Sequence, residues 1–394
     1  MNLGIYIQVP FCRTKCTYCN FHTGVFSSGM YAPYVDGLVR EIFERDALYH
    51  AAGITSNSCR CAAALNVDTV YIGGGTPSLL APSDLARMLD ALRGSFRCSL
   101  EEVTLEADPE TITVEKVEAW VAAGINRISM GTQSFGDKEL SAAGRLHRRA
   151  DIYSADKTLR ANGINNISFD LIAGLPHQTE ESWKRTVGEL IALSPEHVSI
   201  YMLEIDEGSR LGREVLNGGA RYSAATIPED DSIADFYELA SAELAAAGYE
   251  HYEISNWAKL GLRSKHNLKY WLREPYFGIG AGAHSFDGAM RWANAHDPAG
   301  YSASLRAGKL PVEQKEILSD EQSLDEELFL GLRLLDGINV GALEARYNTA
   351  ALNSLRQRID SLVERGLVEW RGDRLRLAPS RISVSNDVFV ELMA

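Results

Sequence analysis

Short apolar runs alternate with longer amphipathic stretches along the first half of the chain. After the first gap the runs start roughly every 25 to 40 residues, which is the length of one strand followed by one helix. The stretches between them, such as APSDLARMLDAL and TEESWKRTVGELIAL, carry apolar residues at helical spacing. The runs that predict strands are GIYIQVP (4–10), VDTVYIGGG (67–75), EEVTLEADP (101–109), NRISMGTQS (126–134), NISFDLIAG (166–174) and EHVSIYMLE (196–204).

The regular alternation of strands and helices predicts the fold class. It favours a parallel α/β sheet that is closed, or partly closed, into a barrel. Six visible units instead of eight predict a partial (β/α)6 barrel. In such folds the chemistry gathers at the carboxyl ends of the strands. The segments GGGTP, EADP, GTQSF and DLIAGLP all end or directly follow a predicted strand, so we expect the functional residues at that edge.

The second half of the chain contains two regions whose sequence patterns differ from that of the first half. An aromatic and glycine-rich region occupies 249–294. Helical stretches around 324–365 then precede GLVEWRGDRLRLAP, which predicts a hairpin that turns at Gly372 and Asp373. Helices followed by a hairpin indicate a small α+β domain of the winged-helix type. The predicted division is a partial barrel at 1–220, an aromatic and glycine-rich extension with the segment HNLKYW at 221–315, and a winged-helix-like domain at 316–394.

Composition excludes several classes of protein. The 394 residues are 45% hydrophobic and 23% charged, as in ordinary globular proteins. The formal net charge of −14 opposes binding to a nucleic-acid backbone, and we expect no nucleic-acid partner. The first residues, MNLGIYIQVPF, lack the segments of a signal peptide, and no stretch reaches the ~18 apolar residues of a membrane span. These features predict a cytoplasmic protein.

Three of the six cysteines fall close together near the start of the sequence: Cys12, Cys16 and Cys19. In a reducing compartment, clustered thiols bind metal or perform redox chemistry more often than they form disulfides. Three thiolates on one loop can hold three corners of an iron–sulfur cubane, whereas structural zinc would need a fourth ligand from a second pair at zinc-finger spacing. We interpret Cys59 and Cys61 as surface thiols of an insertion, and Cys98 as a small, partly buried residue.

The CxxxCxxC spacing, with an aromatic residue before the last cysteine, resembles the signature of the radical S-adenosylmethionine (SAM) enzymes. GGGTP at 73–77 resembles the glycine segment of the same superfamily, whose usual fold is the partial barrel. The resemblance implies a 4Fe–4S cluster on Cys12, Cys16 and Cys19, with SAM bound to the iron that lacks a protein ligand. It also implies one-electron cleavage of SAM to a 5′-deoxyadenosyl radical.

The wider sequence is similar to the anaerobic coproporphyrinogen III oxidase family over nearly its whole length. The similar segments are YIQVPFC, YIGGGTPS, EADPETIT, GTQSF, GRLH, DLIAGLP, YEISNWA, HNLKYW and GIGAGAHSF. The resemblance implies a set of residues that hold SAM, in which glycine lets the backbone approach the ligand closely. This set is Tyr6, Gly74, Gly75, Thr76, Glu106, Gln133, Arg145 and Asp170. Taken singly, a strand-end carboxylate could instead be a helix cap, and Arg145 a surface ion pair.

Three features favour the HemW branch of that family over the oxidases. Tyr6 stands almost at the start of the sequence, where the oxidases carry an additional segment. Phe21 stands where the oxidases have a further cysteine. HNLKYW at 266–271 matches the HNxxYW motif associated with the HemW branch. In one respect the chain departs from the family, because Gln8 replaces a histidine that is usual there.

The HNxxYW motif implies heme binding. The resemblance makes His266 an axial ligand of the heme iron, with Tyr270 and Trp271 as flat apolar walls for the macrocycle. The alternative for His266 is a buried histidine at the interface with the second domain. His284, in GAGAHSF, is a second candidate for a ligand or pocket residue.

The resemblance therefore implies a heme chaperone that binds a 4Fe–4S cluster, SAM and heme. It would pass heme to respiratory or other heme proteins, some of them at the cytoplasmic face of the membrane, and would need a low-potential electron donor. The alternative is an enzyme, either an oxygen-independent coproporphyrinogen III oxidase or another radical SAM enzyme that acts on a tetrapyrrole. A third and weaker alternative is a regulator that acts through the C-terminal region, although the mixed charges of LRQRIDSLVERG disfavour DNA contact.

Overall fold

The six predicted runs form six parallel strands that lie side by side in chain order. The computed structural model describes residues 2–54, 65–347 and 349–393, so Cys59 and Cys61 lie outside the described residues. Most residues of the six strands are buried, which explains their continuous apolar sequences. The strands are β1 (Asn2–Val9), β2 (Asn66–Gly74), β3 (Arg97–Ala107), β4 (Arg127–Gln133), β5 (Ile167–Ala173) and β6 (His197–Met202).

Shorter strands extend this sheet at both edges. They are β7 (Glu250–Glu253), β8 (Asn256–Ala258), β9 (Tyr276–Ile279), β10 (His284–Phe286), β11 (Met290–Asn294) and β12 (Val312–Ile317). β9 pairs in parallel with β1, and β10, β11 and β12 follow as antiparallel neighbours. At the other edge β8 pairs antiparallel with β6, and β7 with β8. The order β12-β11-β10-β9-β1-β2-β3-β4-β5-β6-β8-β7 confirms a parallel α/β sheet that stays open as a partial barrel.

Helices connect the strands, and most of them bury their apolar sides in the main core. They are α1 (Tyr31–Phe43), α2 (Arg45–Ala51), α3 (Pro82–Ser95), α4 (Val114–Ala123), α5 (Asp137–Ala142), α6 (Arg149–Ala161), α7 (Glu180–Leu193), α8 (Arg210–Leu216), α9 (Asp230–Ala246), α10 (Lys265–Trp271) and α11 (Pro298–Arg306). Local sequence sets their ends: α7 begins at a capping box of Thr179 and Ser182, and α4 ends at Gly124 with φ +95°. No helix in the described part of the chain has the length and apolar character needed to cross a membrane.

The last part of the chain packs around a hydrophobic core of its own. Its elements are α12 (Asp320–Gly331), β13 (Ile338–Asn339), α13 (Val340–Glu344), α14 (Thr349–Glu364), β14 (Val368–Arg371), β15 (Arg374–Leu377) and α15 (Ser385–Met393). The strands form a small antiparallel sheet in the order β13-β15-β14. Arg371 pairs with Arg374, which confirms the hairpin turn at Gly372 and Asp373. Helices followed by this hairpin confirm the predicted α+β character, while the exact limits of the three regions stay a prediction.

Candidate functional site

A cavity of about 560 Å³ opens at the carboxyl ends of the parallel strands. Its walls come from the loop after β1, from the ends of β2 to β6, and from the C-terminal region. Nearly all the residues predicted to hold the cluster and SAM line this one cavity. They are Cys12, Cys16, Cys19, Gly74, Gly75, Thr76, Glu106, Gln133, Arg145 and Asp170. Residues far apart in the sequence are therefore brought together as the barrel topology predicts.

The three cysteines lie on the loop between β1 and α1, and hydrogen bonds fix the shape of this loop. The Cys12 amide donates to the Gly24 carbonyl at 2.8 Å, which ties the two ends of the loop together. Lys15 Nζ donates to the carbonyls of Phe21 and Thr23 at 2.9 and 3.0 Å. All three thiols are free and half-buried. The loop therefore presents the thiols to the cavity as a set.

The thiol set suits a cluster better than a single metal ion. Among the described residues, no three His, Cys, Asp or Glu side chains are grouped so that they could hold one ion. A cubane offers three separate iron atoms, so its three thiolate ligands do not have to converge on one point. Burial, together with the neighbouring Cys19 and Cys16 thiols, raises the pKa of Cys12 to about 11. Bound iron would favour the thiolate form and offset this effect.

The glycine segment packs directly against the cysteine loop. A Cβ atom on Gly75 would lie 2.5 Å from the Phe11 carbonyl oxygen and 3.0 Å from Cys12 Sγ. Gly74 has a φ of +114°, a conformation that favours glycine, and its amide donates to Glu106 Oε2 at 2.9 Å. The packing of the cysteine loop therefore requires these glycines, in addition to any ligand that they approach.

Glu106 and Asp170 place two carboxylates in the cavity wall. Glu106 accepts hydrogen bonds at 2.9 Å from Tyr71 Oη and from the Gly74 amide, and Asp170 accepts one from Ser129 Oγ at 2.9 Å. Burial raises the pKa of Glu106 to about 7 and also raises the pKa of Asp170. Because burial destabilises their negative charge, both groups would gain from a hydroxyl donor or a cationic ligand.

Arg145 connects the cysteine loop to the strand ends. Its guanidinium forms an ion pair with Asp108 and donates to the Gly131 carbonyl at 2.7 Å. Its Nη1 also donates to Cys16 Sγ at 3.5 Å. Because the Arg145 side chain is only 9% exposed, this ion pair lies in the interior and is not a surface pair. A positive charge at this place would stabilise a thiolate at Cys16.

Thr76 and Gln133 complete the wall beside Arg145. Thr76 Oγ1 donates to Asp108 Oδ2 at 3.1 Å, so Asp108 binds both the glycine segment and the arginine. Gln133 ends β4 with a φ of +62°, in the left-handed region that residues other than glycine rarely adopt. Strained backbone of this kind is concentrated at functional sites.

Tyr6 and Gln8 lie behind the glycine segment, and Tyr6 is the predicted SAM residue that does not line the cavity. Tyr6 Oη donates to Gln8 Oε1 at 2.6 Å, and its ring stacks on Tyr71 with the centroids 6.1 Å apart. A Cβ atom on Gly74 would lie 2.5 Å from Gln8 Oε1. Gln8 is therefore a support for the glycine segment. A contact between Tyr6 and SAM stays a prediction.

The HNxxYW motif forms α10, which packs on the amino-terminal half of β2. His266 is 0% exposed, and burial lowers its pKa to about 3. Its Nδ1 lies 3.0 Å from Thr69 Oγ1 and its Nε2 lies 2.9 Å from Tyr270 Oη. The His266 amide donates to Glu102 Oε1 at 2.9 Å. Both ring nitrogens are engaged, so ligation of heme iron by His266 would require one of these hydrogen bonds to break.

The two aromatic residues of the motif also make internal contacts. The Tyr270 ring meets His266 and Tyr276 edge to face, at centroid distances of 5.2 and 4.6 Å. The Trp271 ring lies 4.5 Å from the guanidinium carbon of Arg333, which lies two residues after the end of α12. These contacts join α10 to the barrel and to the C-terminal region. The heme role of the three residues stays a prediction, and Asn267 is the motif residue that lines the cavity.

Sequence reasoning missed a second set of cavity residues. Those in the barrel are Tyr71, Asp108, Arg127 and Ser129, and those from α10 and the C-terminal region are Asn267, Arg333, Ser383, Ser385 and Asn386. For two of the barrel residues a signal existed, since Asp108 stands in EADP and Tyr71 in YIGGGTPS. For the C-terminal serines and asparagine there was none, because such residues are common on any surface.

Comparison with known proteins extends these observations over the whole chain. The model of the Radical SAM superfamily matches residues 6–190, and that of the HemN C-terminal domain matches 318–380. The heme chaperone HemW of Bacillus subtilis (strain 168) is 31% identical over 386 residues, which cover 98% of this chain and 97% of the relative. The heme chaperone HemW of Mycobacterium tuberculosis (strain CDC 1551 / Oshkosh) is 35% identical over 95% of this chain and 90% of its own.

A solved structure agrees with the fold. Coproporphyrinogen III oxidase (HemN) from Escherichia coli, a radical SAM enzyme, matches 100% of this chain and 90% of its own with a TM-score of 0.83. Its sequence identity is 20%, so this likeness establishes the fold alone. The end-to-end identity to the curated relatives is what establishes the family. The chain belongs to the HemW family of the radical SAM superfamily.

Proposed function

We propose that this protein is a heme chaperone of the radical SAM type. It binds a 4Fe–4S cluster on Cys12, Cys16 and Cys19, binds SAM in the adjoining cavity, and binds heme that it passes to recipient heme proteins. The observation that carries this proposal is the meeting of three thiols, a glycine segment and two carboxylates in one cavity. The heme component is supported by end-to-end relatives that are named heme chaperones.

Different residues of the cavity would bind the cluster and SAM. The three thiolates would hold the cluster, and Arg145 would stabilise the negative charge at Cys16. Glu106 and Asp170 would accept hydrogen bonds from ribose hydroxyls or face the cationic sulfonium. When bound, the cluster and SAM supply one-electron chemistry that the side chains of the chain lack. A low-potential electron donor is part of the proposal.

The C-terminal region would shield the bound ligands. Arg333, Ser385 and Asn386 reach the cavity from this region. Arg333 is held in place by an ion pair of 2.7 Å with Glu253, a carboxylate that is 0% exposed. Excluding water in this way strengthens electrostatic interactions inside a site and protects reactive species from side reactions.

The second candidate function is that of an oxygen-independent coproporphyrinogen III oxidase. It is favoured by the presence of a complete cavity for a cluster and SAM. Against it stands Phe21, which is 67% exposed at the position where the resemblance places a further cysteine in the oxidases. The two candidates differ in turnover, because the oxidase would decarboxylate its substrate repeatedly.

One experiment separates the candidates. Anaerobically reconstituted protein is incubated with coproporphyrinogen III, SAM and a low-potential reductant, and the products are analysed by mass spectrometry. The same preparation is mixed with hemin and then with a heme-free acceptor protein. We expect hemin uptake and transfer with no decarboxylation. Loss of two carboxyl groups at a catalytic rate, with no hemin uptake, would contradict the proposal.

A further inference from the structure

A carboxyl group and an imidazole form a pair at the edge of the cavity, outside the set of predicted SAM residues. Glu110, in the segment EADPETIT, lines the cavity with a side chain that is 17% exposed. His147, in the segment GRLH, lies behind it and is 0% exposed. His147 Nδ1 lies 3.6 Å from Glu110 Oε2. Both atoms are buried, and neither has a hydrogen-bond partner among the described residues.

A second contact fixes the tautomer of His147. Its Nε2 lies 3.1 Å from the Thr132 carbonyl oxygen, which can only accept, so Nε2 carries the hydrogen of the neutral ring. Nδ1 therefore carries a lone pair. Near pH 7 the ring is neutral, because burial and then the charge of Arg145 lower its pKa to about 4. Nδ1 thus faces the Glu110 carboxyl group as a hydrogen-bond acceptor.

The gap between His147 Nδ1 and Glu110 Oε2 has the chemistry of a proton site. Two acceptors that face each other repel, and a proton on either atom would turn their contact into a hydrogen bond. Burial, and then the charge of Asp108, raises the pKa of Glu110, which favours the uptake of a proton. With Glu110 ionised the pair carries one negative charge, and it becomes neutral when it gains a proton.

Four charged side chains face the pair and influence its response to pH. Arg145 and Asp108, which form an ion pair in the cavity wall, act on both members. Arg13, from the cysteine loop, acts on the carboxyl group, and Asp151, from α6, acts on the imidazole. Two positive and two negative charges offset one another, so burial has the largest effect on both members.

The pair stands beside the cysteine loop. His147 lies two residues after Arg145, whose Nη1 donates to Cys16 Sγ at 3.5 Å. Glu110 lies two residues after Asp108, which accepts a hydrogen bond of 3.1 Å from the glycine segment. A ligand group bound at the cluster would therefore lie on the side of the cavity that Glu110 lines.

The chemistry of SAM binding at a cluster requires a proton acceptor. The amino-acid end of SAM can coordinate an open iron site as a chelate, through its carboxylate and its amino nitrogen. An amino nitrogen binds metal only after it has lost a proton, and near pH 7 the α-ammonium form predominates. Glu110, with His147 behind it, supplies such an acceptor in the cavity wall.

We propose that Glu110 accepts the proton of the α-ammonium group of SAM, and that His147 is a positioning residue that stabilises the proton through Nδ1. Glu110 forms the new O–H bond, while the electron pair of the broken N–H bond stays on the nitrogen. Glu110 Oε2 then donates a hydrogen bond to His147 Nδ1, and the pair becomes neutral. This inference rests on the proposed binding of the cluster and SAM.

Proton release on SAM binding tests the inference on full-length protein with its cluster. Calorimetry in buffers of different ionisation enthalpy counts the protons that are released for each SAM bound. In the wild type near pH 7 the pair keeps the proton, so we expect almost no net release and an affinity that changes little with pH. Release of about one proton per SAM by the wild type would overturn the inference without any variant.

Glu110→Gln removes the acceptor and keeps the size of the side chain. This variant should release about one proton per SAM, and its affinity should rise about tenfold for each pH unit until the ammonium group titrates. Glu118→Gln changes an exposed carboxylate on α4 and is the matched control, which should behave as the wild type. Iron content should be that of the wild type in both variants.

His147→Phe tests the positioning role. It keeps a flat ring and lacks Nδ1, so the carboxyl group alone should hold the proton less tightly and release most of it on SAM binding. The buried Thr132 carbonyl also loses its partner, and the melting temperature should fall. A lower melting temperature with the proton count of the wild type would show that His147 only stabilises the fold.

The outcomes separate this inference from the function on which it rests. If Glu110→Gln binds SAM more weakly but with the proton count and pH profile of the wild type, Glu110 is not the acceptor and the inference is overturned. If the wild type with its full iron content binds no SAM, the proposed function itself is overturned.

Discussion

Polar side chains have different environments at the two ends of the parallel strands. At the carboxyl ends, the cavity collects half-buried carboxylates, free thiols and the strained backbone of Gln133. Around α10, near the amino-terminal half of β2, His266 is fully buried and its ring is satisfied by Thr69 and Tyr270. Burial raises the pKa of Glu106 and of Asp170, which indicates a place that would gain from a cationic or hydroxyl ligand, whereas the hydrogen bonds of the His266 ring stabilise the fold.

The two prominent sequence motifs therefore lie in different environments, and the heme role of HNxxYW stays a prediction. CxxxCxxC and HNxxYW are equally recognisable in the sequence. The three cysteines of CxxxCxxC line the cavity, whereas HNxxYW reaches the cavity through Asn267. Four sets of substitutions test this contrast, and they follow from the largest expected effect to the smallest.

The largest effect is expected at the cysteine loop. Replacing Cys12, Cys16 and Cys19 by alanine should abolish the iron content and the brown absorption of anaerobically reconstituted protein, because no ligand for the cluster remains. Replacing Cys59, Cys61 and Cys98 by alanine is the matched control and should leave both largely intact. Iron loss in the control would show that the cluster has other ligands.

The next largest effect is expected at the glycine segment. Gly75→Val places a branched side chain where even a Cβ atom would lie 2.5 Å from the Phe11 carbonyl oxygen. The cysteine loop must shift, because rotating a side chain cannot relieve a clash with backbone, so most of the cluster content and of the SAM affinity should be lost. Iron analysis and calorimetry measure the two quantities.

The control for Gly75→Val is a glycine without close neighbours. Gly188 lies within α7, and a Cβ atom there would meet nothing within 4 Å. Gly188→Ala should therefore leave cluster content unchanged and raise the free energy of unfolding by about 0.5–1 kcal/mol. If Gly75→Val retains the cluster but no longer binds SAM, Gly75 is needed for SAM binding more than for the packing of the cysteine loop.

At α10, near the amino-terminal half of β2, His266→Ala tests the structural role of the HNxxYW motif. It removes a buried ring and leaves the hydroxyls of Thr69 and Tyr270 without that partner. The free energy of unfolding should fall by about 3–4 kcal/mol, which denaturant titration can measure. The exposed His50→Ala control should change it by less than about 0.5 kcal/mol. A normal stability for His266→Ala would contradict the contrast between the two ends.

The smallest effect is a pH dependence that arises from Glu106. Its pKa is raised by burial to about 7 in the folded protein, against 4.5 for the ordinary value. Between these values the folded state keeps a proton that the unfolded state releases, so stability is highest below pH 4.5 and falls as the pH rises towards 7. Glu106→Gln stays neutral and should remove a decline on the order of 2–3 kcal/mol over this window.

The readout for Glu106 is the difference in unfolding free energy between variant and wild type at several pH values. Glu118→Gln changes an exposed carboxylate on α4 and should leave the profile nearly unchanged. Parallel profiles for Glu106→Gln and wild type would show that the pKa of Glu106 is the same in the folded and unfolded states.

Much of the barrel could be predicted from the sequence because strands buried on both sides give continuous apolar runs. β1 to β6 carry such runs, and their order follows from the short connections of a βα repeat. β9 was not predicted, because its four residues become a strand only through pairing with β1, more than two hundred residues earlier. Such pairing depends on tertiary structure and has no local signal.

The candidate site, too, could be predicted from the sequence only in part. The residues at the strand ends were predictable because parallel strands bring their carboxyl ends to one edge. The partners of Arg145 and His266 were not. Asp108 directly follows β3, Thr69 lies in β2 and Glu102 in β3, and no local pattern reveals the register of these strands. Which polar groups are free for a ligand therefore became visible only in the structure.

The most direct test of a shared site for cluster and SAM is electron paramagnetic resonance of the reduced, reconstituted wild-type protein with and without SAM. Because the thiols and the proposed SAM residues line one cavity, binding of SAM should alter the spectrum of the reduced cluster. Gln133→Ala should weaken this response while the cluster signal remains. A spectrum that is unchanged at SAM concentrations shown by calorimetry to saturate the protein would contradict a common site at the carboxyl ends of the strands.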